Sequence, residues 1–472
     1  MTGKWRCVAS AHRDRKFLVL TRRPRRSLPK PRRPTSEELE TNRMTQGRGA
    51  GFAAVLAIAF VLWLPVAVFG AQGYSALIGL TAIAAAFFAP LRRFNLIVLS
   101  LFALAAWSAA SSLWSAETGS IIDGALSDGT MNVDAAGLRI LLTVLAGTLT
   151  IAAALRIPQG AGRKSLLVVG CMLGLHGLLT LSMGLFPELT LDLYAPMSDR
   201  VKEAPQNILR SANAFVLGLP ILIGLAAAFA GRATVAACVA LLTVAFVAFL
   251  MIGTDVALLG VICMAVAIGV VMIFVHHGFR ILMTAMSAII LLSPLILGVG
   301  AAALTRTDIP MPCSVQSRVW AWNLTSEKIM ERPLTGHGIE ASKEWRDTFG
   351  ERPDLLREVD QKCRSDNADW EVYRILPGHP HNMGLQIWAE TGIIGVILAI
   401  ASLIIIGNRL PRPGDVDIPT RLAVASLIGG SFALFSLSYS VWNEAFWATI
   451  ALASAGVILL DRVAGPARLD AK

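Results

Sequence analysis

The sequence predicts an all-α protein that crosses a membrane about twelve times. Hydrophobic residues make up 55% of its 472 positions and charged residues 16%, and the mean hydropathy is +0.61. Soluble domains carry about a quarter charged residues, so lipid is the main solvent of this chain. A hydrocarbon core of roughly 30 Å needs about 20 apolar residues per helix. Uncharged runs of this kind lie near residues 52–70, 75–89, 94–112, 138–155, 165–185, 212–230, 233–252, 254–275, 281–303, 383–407, 421–440 and 444–460.

The basic residues of the short connections predict the orientation, because loops rich in Lys and Arg stay in the cytoplasm. The even-numbered connections and both chain ends are basic, whereas the odd-numbered connections carry little net positive charge. We therefore expect a multi-pass protein of a bacterial inner membrane with both termini in the cytoplasm. The basic residues of the even-numbered connections are Arg92, Arg93, Arg156, Arg163, Lys164, Arg232, His276, His277, Arg280, Arg409, Arg412 and Arg421.

Charge and length divide the chain into five predicted regions. Much of the net charge of +10 lies in residues 1–49, expected to form a basic disordered cytoplasmic tail near anionic lipid and not to bind nucleic acid. Translation could begin at Met1 or at Met44, and the sequence leaves both open. The other regions are membrane helices 1–9 (50–303), a periplasmic loop domain (304–380), membrane helices 10–12 (381–460) and a cytoplasmic C-terminal tail (461–472).

The loop between the ninth and tenth spans is too long to be a passive connector and mixes acidic with basic residues. We expect it to fold outside the membrane, mostly as helix. Its segment SRVWAWNLTSEKIM contains good helix formers, places Arg318 near the start and is closed by Pro333. Of the six cysteines, Cys313 and Cys363 share this loop. In an oxidising compartment they could form a disulfide, and two free thiols are the alternative.

The segment PGHPHNMGLQIWAETGIIG runs from this loop into the tenth span. The offsets from His381 to Leu385, Trp388, Gly392 and Gly395 are 4, 7, 11 and 14, which predicts one helical stripe at about 100° per residue. The two glycines would let another helix approach closely. At a helix N-terminus, an anion such as a pyrophosphate is favoured, and a neutral His could accept a hydroxyl proton. The alternative is an interfacial His that only caps the helix.

Three motifs resemble the O-antigen ligase and O-antigen polymerase superfamily of membrane glycosyltransferases. The first is HN followed by nine residues and GIIG, which is His381 and Asn382 with Gly392 and Gly395. The second is an Arg that begins a helix ending in a Pro-x-x-Gly-x-Gly turn, matched by Arg318, Pro333, Gly336 and Gly338. The third is LRSANAFVLGLPI, in which Arg210 and Asn213 match an Arg-containing loop and an Asn on the next helix, with Arg200 as an alternative to Arg210.

This resemblance implies transfer of a glycan from a polyprenyl (undecaprenyl) pyrophosphate to an acceptor hydroxyl, with inversion and without a metal or cofactor. Arg318 and Arg210 would bind the pyrophosphate, since guanidinium groups form bidentate bonds to phosphate. His381 would position the acceptor hydroxyl and could take its proton. Candidate substrate-binding residues are Asn382, Arg200, Asn213, Arg374, His379 and His337, the last three with solvated loop residues as the alternative. Glu390 is expected to face away from His381.

Three functions agree with the sequence to different degrees. A ligase would transfer the glycan to a lipid A-core sugar, whereas an O-antigen or exopolysaccharide polymerase would use a second lipid-linked glycan as acceptor. The motifs do not separate these two. A secondary transporter or flippase is less compatible, because such proteins keep ionisable groups near the bilayer midplane and these spans have few. No metal site is expected, since His379 and His381 lack a carboxylate or thiol at ligand spacing. The oligomeric state stays open.

Overall fold

The computed structural model describes residues 36–88, 95–116, 136–194, 204–305, 313–363, 369–376 and 378–464. Two units are distinguished, Met1–Met44 and Thr45–Lys472. In the first unit the described residues, 36–44, are helical. All further description concerns the second unit. Most of the predicted basic tail, the last residues 465–472, and the predicted positions Arg92, Arg93 and Arg200 lie outside the described residues.

The described backbone is helical, with one isolated antiparallel bridge between Thr348 and Arg374 in place of a sheet. A π-helical turn, Pro294–Gly298, joins two of the helices. The α-helices are α1 (Ser36–Val68), α2 (Tyr74–Phe88), α3 (Leu96–Ser111), α4 (Ala136–Ala154), α5 (Arg163–Leu185), α6 (Pro187–Tyr194), α7 (Ala204–Ala230), α8 (Thr234–Ile252), α9 (Asp255–Ile273), α10 (Gly278–Ser293), α11 (Val299–Thr305), α12 (Cys313–Glu331), α13 (Pro353–Lys362), α14 (Met383–Arg409), α15 (Ile418–Leu437) and α16 (Glu444–Ala464).

Ten segments of the described residues are long and apolar enough to cross a membrane. One of them, Pro205–Ile252, contains both α7 and α8, and α2 is a further apolar helix of 15 residues. At 1.5 Å per residue α2 is about 22 Å long, shorter than a typical hydrocarbon core. Every predicted span overlaps one of these helices, which confirms the prediction of an all-α polytopic membrane protein.

Small and polar residues bring the spans together, as expected where lipid supplies no hydrophobic force between helices. A Cβ added to Gly429 on α15 would collide with the backbone of Cys263 on α9. The buried ring of His176 on α5 accepts a hydrogen bond from Trp63 Nε1 of α1 at 3.1 Å and lies 3.2 Å from Ser211 Oγ of α7. These contacts tie three spans together at one point.

The connections fall at two opposite ends of the bundle, because successive spans alternate in direction. At one end, the Gly160 amide donates to the Arg462 carbonyl and the Gly414 amide to the Val275 carbonyl, both at 2.7 Å. At the other end, Ser115 Oγ donates to the Ile339 carbonyl at 2.6 Å. We call these the basic end, with residues 155–163, 231–234, 274–278 and 410–417, and the loop end, with residues 69–73, 112–116, 313–363, 369–376, 378–382 and 438–443.

The loop between α11 and α14 has its own small hydrophobic core and a covalent closure. Cys313, at the start of α12, and Cys363, just after α13, form a disulfide with their Cα atoms 5.7 Å apart. The Arg352 guanidinium binds both carboxylate oxygens of Glu327 at 3.1 and 2.8 Å. The largest side chains of this core are Trp320, Leu324, Phe349, Val359, Ile375 and Leu376. Helix α12, which carries Arg318, is therefore held against a packed support.

Candidate functional site

His381 lies just before α14 with a positive φ of 49°. The cap of α14 is the next residue, since Asn382 Oδ1 accepts from the Leu385 amide at 3.0 Å. The alternative that His381 only caps this helix is therefore wrong. Its Nδ1 lies 3.0 Å from the Ser438 carbonyl oxygen. Because a carbonyl can only accept, Nδ1 carries the proton and Nε2 keeps its lone pair.

The continuous helical stripe predicted from His381 to Gly395 is wrong for two reasons. The helix begins at Met383, so His381 precedes it. The helix also breaks at Gly392, where φ is 64° and ψ is −169°. An offset counted across this break no longer measures a rotation of 100° per residue, because the backbone leaves the helical conformation there.

The backbone of the loop packs against α14 at the break around Gly392. Gly336 and Gly338 have φ of 69° and 98°, and a Cβ on either Gly336 or Gly392 would collide with the opposing backbone. Residues 333–338 thus pair with residues 389–393, and we call this pairing the glycine seam. Its hydrogen bonds run from Ile393 N to Pro333 O (2.9 Å), from His337 N to Ala389 O (2.9 Å) and from Gly338 N to Glu390 O (2.8 Å).

Trp107 on α3 and Trp114, in the turn that follows α3, both donate hydrogen bonds to the glycine seam. Trp107 Nε1 donates to the Thr391 carbonyl at 3.0 Å, and Trp114 Nε1 donates to the Gly336 carbonyl at 3.2 Å. A Cβ on Gly395 would lie 3.5 Å from the Trp107 ring. This distance is ordinary van der Waals contact, and the group that an added Cβ on Gly395 would collide with is Thr391 of the same helix. At Gly392, the segment that approaches closely is the loop and not another helix.

The two imidazoles of the motif lie together and are held neutral. The ring centroids of His379 and His381 are 4.2 Å apart. Burial lowers the pKa of His379 to about 3, helped by the charges of His381 and Lys343. Burial also lowers the pKa of His381; the bond to the Ser438 carbonyl opposes this shift, and the positive charge of Arg318 adds to it. At neutral pH, Nε2 of His381 is therefore available as a proton acceptor.

Arg318 is brought to His381 by the packing of α12. It lies half-buried in the second turn of that helix, close enough for its charge to act on the imidazole. One turn further, Trp322 Nε1 donates to the Pro380 carbonyl at 2.9 Å, which fixes α12 beside the residue preceding His381. Within the described residues no carboxylate pairs with Arg318.

Arg210 and Asn213 approach from α7. Asn213 Nδ2 donates to the Tyr439 hydroxyl at 3.0 Å, and the charge of Arg210 acts on the same hydroxyl. Tyr439 directly follows Ser438, whose carbonyl binds the His381 ring. The structure thus brings the predicted residues His381, Arg318, Arg210 and Asn213 to one place at the loop end.

The other predicted substrate-binding residues take different positions. His337 Nε2 lies 2.9 Å from the Lys328 carbonyl, and its ring packs edge-on to Trp345, so these contacts of its side chain are with the loop domain. Arg374 Nη1 donates to the Lys343 carbonyl at 3.4 Å, which places Arg374 beside the residue whose charge acts on His379.

Glu390 has a role that the sequence reasoning missed. It is fully buried, and its carboxylate accepts from the Glu340 amide at 2.7 Å, from Ser342 Oγ at 2.5 Å and from Trp442 Nε1. Gln386 Nε2 adds a bond at 3.3 Å. These bonds place Glu390 against the loop and the α15–α16 turn. The available signal was a carboxylate inside an apolar span, which is costly unless it is bound.

Comparison with known proteins finds similarity over part of the chain. Residues 215–400 match the family model described as O-Antigen ligase. Proteins named "Putative polysaccharide ligase" from Rickettsia conorii, Rickettsia felis and Rickettsia bellii are 27%, 28% and 27% identical. These alignments cover 28%, 28% and 32% of this chain. They span 28%, 28% and 34% of the relatives' own length, which is far less than the whole proteins.

No solved structure matches this chain. The matched segment begins on α7, shortly after Asn213, and ends within α14. It thus includes Arg318, both sides of the glycine seam and His381, the residues that carried the first two motifs. The family match and the relatives thus show that this part of the chain is similar to O-antigen ligases and to proteins named as polysaccharide ligases.

Proposed function

We propose that this protein is a ligase-like glycosyltransferase that moves a glycan from an undecaprenyl pyrophosphate carrier to a sugar hydroxyl of lipid A-core. The observation that carries the proposal is His381, whose Nδ1 bond to the Ser438 carbonyl leaves Nε2 as a proton acceptor and whose imidazole lies within reach of the charge of Arg318. Arg210 contributes a second positive charge from α7. A base for a hydroxyl and cations for a pyrophosphate are the two requirements of this transfer.

The proposed step is a single displacement. The acceptor oxygen forms a bond to the anomeric carbon while the bond from that carbon to the pyrophosphate oxygen breaks, which inverts the configuration. The hydroxyl proton passes to Nε2 of His381, and the bonding electrons leave with the pyrophosphate. Arg318 and Arg210 stabilise the charge that develops on the leaving group, since bidentate guanidinium bonds to phosphate are strong and charge-assisted.

We also propose that the loop end faces the periplasm of a bacterial inner membrane. The support is charge, because the opposite end carries the Arg and Lys residues of the short connections, which stay cytoplasmic. Asp354 of the loop is almost fully exposed, so an Asp354→Cys variant should react with a membrane-impermeant maleimide added to intact spheroplasts. An Arg412→Cys variant at the basic end should react only after permeabilisation. The reverse pattern would contradict the proposed orientation.

The banding of lipopolysaccharide tests the reaction. A strain lacking this protein is complemented with the wild type, with His381→Ala, or with His276→Ala as a matched control at the exposed basic end. The wild type and the control should attach long glycan to the core, and His381→Ala should leave bare core. If His381→Ala is present in the membrane and still attaches glycan at the wild-type level, the proposal is wrong. If loss of the protein only shortens attached ladders, the protein is a polymerase.

A further inference from the structure

Tyr439 lies in the turn between α15 and α16, where three parts of the molecule meet. Its ring stacks on Phe446 of α16, with ring centroids 3.6 Å apart and the planes at 27°. Asn213 Nδ2 of α7 donates to its hydroxyl oxygen at 3.0 Å. The phenol is therefore held from two sides, and its hydroxyl has a defined position.

This position connects the two sides of the proposed site. On one side, the guanidinium of Arg210 is close enough for its charge to act on the Tyr439 hydroxyl. On the other, the neighbouring Ser438 carbonyl accepts the Nδ1 proton of His381 at 3.0 Å. Tyr439 is half-buried, so it is neither sealed in the core nor freely solvated.

The hydroxyl keeps a proton to donate. Burial raises the pKa of Tyr439, while side-chain hydrogen bonds from Asn213 and Ser438 and the charge of Arg210 oppose this shift. Asn213 Nδ2 donates to the phenol oxygen, and the second side-chain bond is with the hydroxyl of Ser438, which can donate as well as accept. With Ser438 as the donor, the phenol proton is left for another acceptor. A phenol can accept and donate at once, so one donor remains for a ligand.

We infer that the Tyr439 hydroxyl donates a hydrogen bond to a phosphate oxygen of the lipid-linked donor, beside Arg210. This inference rests on the proposed function. A phosphate oxygen is favoured over a sugar hydroxyl because the neighbouring guanidinium selects an anion, and a hydrogen bond to an ionised oxygen is about twice as strong as a neutral one. Negative charge grows on that oxygen as the pyrophosphate leaves, so the bond strengthens in the transition state. Tyr439 is then a catalytic residue.

The test uses the full-length protein, purified and reconstituted in lipid nanodiscs, with Tyr439→Phe as the variant. This substitution keeps the ring that stacks on Phe446 and removes only the hydroxyl. The matched control is Tyr74→Phe, which removes a buried hydroxyl that donates to the Trp63 carbonyl at 3.2 Å. Two quantities are measured, namely binding of undecaprenyl pyrophosphate without a sugar, and kcat/KM for transfer from a lipid-linked glycan.

We expect Tyr439→Phe to bind undecaprenyl pyrophosphate roughly 10-fold more weakly and to lose about 10- to 100-fold in kcat/KM, mostly in kcat. Tyr74→Phe should match the wild type in both. Unchanged binding of the sugar-free probe by Tyr439→Phe, or kcat/KM within about twofold of the wild type, would overturn the inference while leaving the ligase proposal intact. If the wild type itself fails to bind the probe, the proposed function fails instead.

Discussion

The two ends of the bundle differ in how they use polar residues. At the basic end, arginines bind carbonyls that end nearby helices, as Arg462 Nη2 does with Leu155 O at 2.9 Å and Arg156 Nη1 with Phe88 O at 3.4 Å. At the loop end, polar side chains also bind other side chains, such as Glu390 with Trp442 and Asn213 with Tyr439. At the basic end, the positive charges lie next to the negative ends of helix dipoles. At the loop end, the polar side chains surround the proposed site.

Backbone strain separates the two ends in the same way. In the described ranges, the non-glycine residues with positive φ are Ala71, Glu340 and His381, and all three lie at the loop end. Such conformations cost roughly 1–3 kcal/mol each and persist where the surrounding structure imposes them. The surroundings here are the glycine seam, the Glu390 contacts and the Ser438 carbonyl. Strain and buried polarity therefore concentrate where we propose the chemistry.

The largest expected effect is on His381. Replacing it with Ala should lower the transfer rate roughly 10²- to 10⁴-fold if it is the general base, equivalent to about 3–5 kcal/mol in the barrier. The rate would be measured with purified protein and lipid-linked glycan. His277→Ala, at the exposed basic end, should stay within about twofold. An equal loss of transfer rate in the two variants would contradict the proposal that the chemistry takes place at the loop end.

The disulfide should give the next largest effect. Replacing both Cys313 and Cys363 with Ala should destabilise the loop domain by about 4 kcal/mol in the chain-entropy model, seen as an earlier unfolding transition in detergent. Replacing the exposed free cysteine, Cys171, with Ala should leave the transition unchanged. If reductant fails to lower the stability of the wild type, the disulfide does not support this end of the molecule.

Glu390→Ala should destabilise the protein by about 3 kcal/mol, because it leaves the Glu340 amide, Ser342 and Trp442 Nε1 without their acceptor. Thermal unfolding of the purified protein would measure this loss. Asp354→Ala removes an exposed carboxylate whose ion pair contributes little. An equally small change in both variants would mean that Glu390 is dispensable to the loop end.

Arg318→Lys should reduce transfer about 10- to 30-fold, since an ammonium keeps the charge but loses the bidentate geometry. The same conservative change at the basic end, Arg412→Lys, should have no effect on the rate. Steady-state kinetics would separate kcat from KM. A fully active Arg318→Lys variant would show that only charge is needed at this position, not the shape of the guanidinium.

The smallest expected effect concerns pH. The pKa of His381 is lowered by burial and by the charge of Arg318, so transfer should fall only as the pH drops through that lowered pKa, below about 6.5. Removing the charge with Arg318→Gln should move this acid limb to higher pH, because one cause of the depression is lost. The pH dependence of kcat/KM would show the shift. A shift to lower pH would contradict the proximity of Arg318 to the imidazole.

Local sequence rules were sufficient to predict the helices, but they did not predict the glycine seam. Apolar length placed the spans, and helix formers followed by Pro333 located α12, because these rules depend on neighbours a few residues apart. The stripe from His381 failed because periodicity assumes an unbroken helix, and the partner of the break, residues 333–338, comes about 50 residues earlier. Tyr439 was missed for the same reason, as its partner Asn213 is 226 residues away.

By itself, the sequence determined that the chain is a bundle of apolar helices and that one end is basic, because burial of apolar surface in lipid and local helix propensity are enough for that. His381, Arg318 and Arg210 were indicated by motifs that resemble a known family. Only the tertiary structure decided which nitrogen of His381 can accept a proton, which groups donate hydrogen bonds to Glu390, and why the helix breaks at Gly392. These depend on contacts between distant segments, whose geometry is set when the loop packs onto the spans.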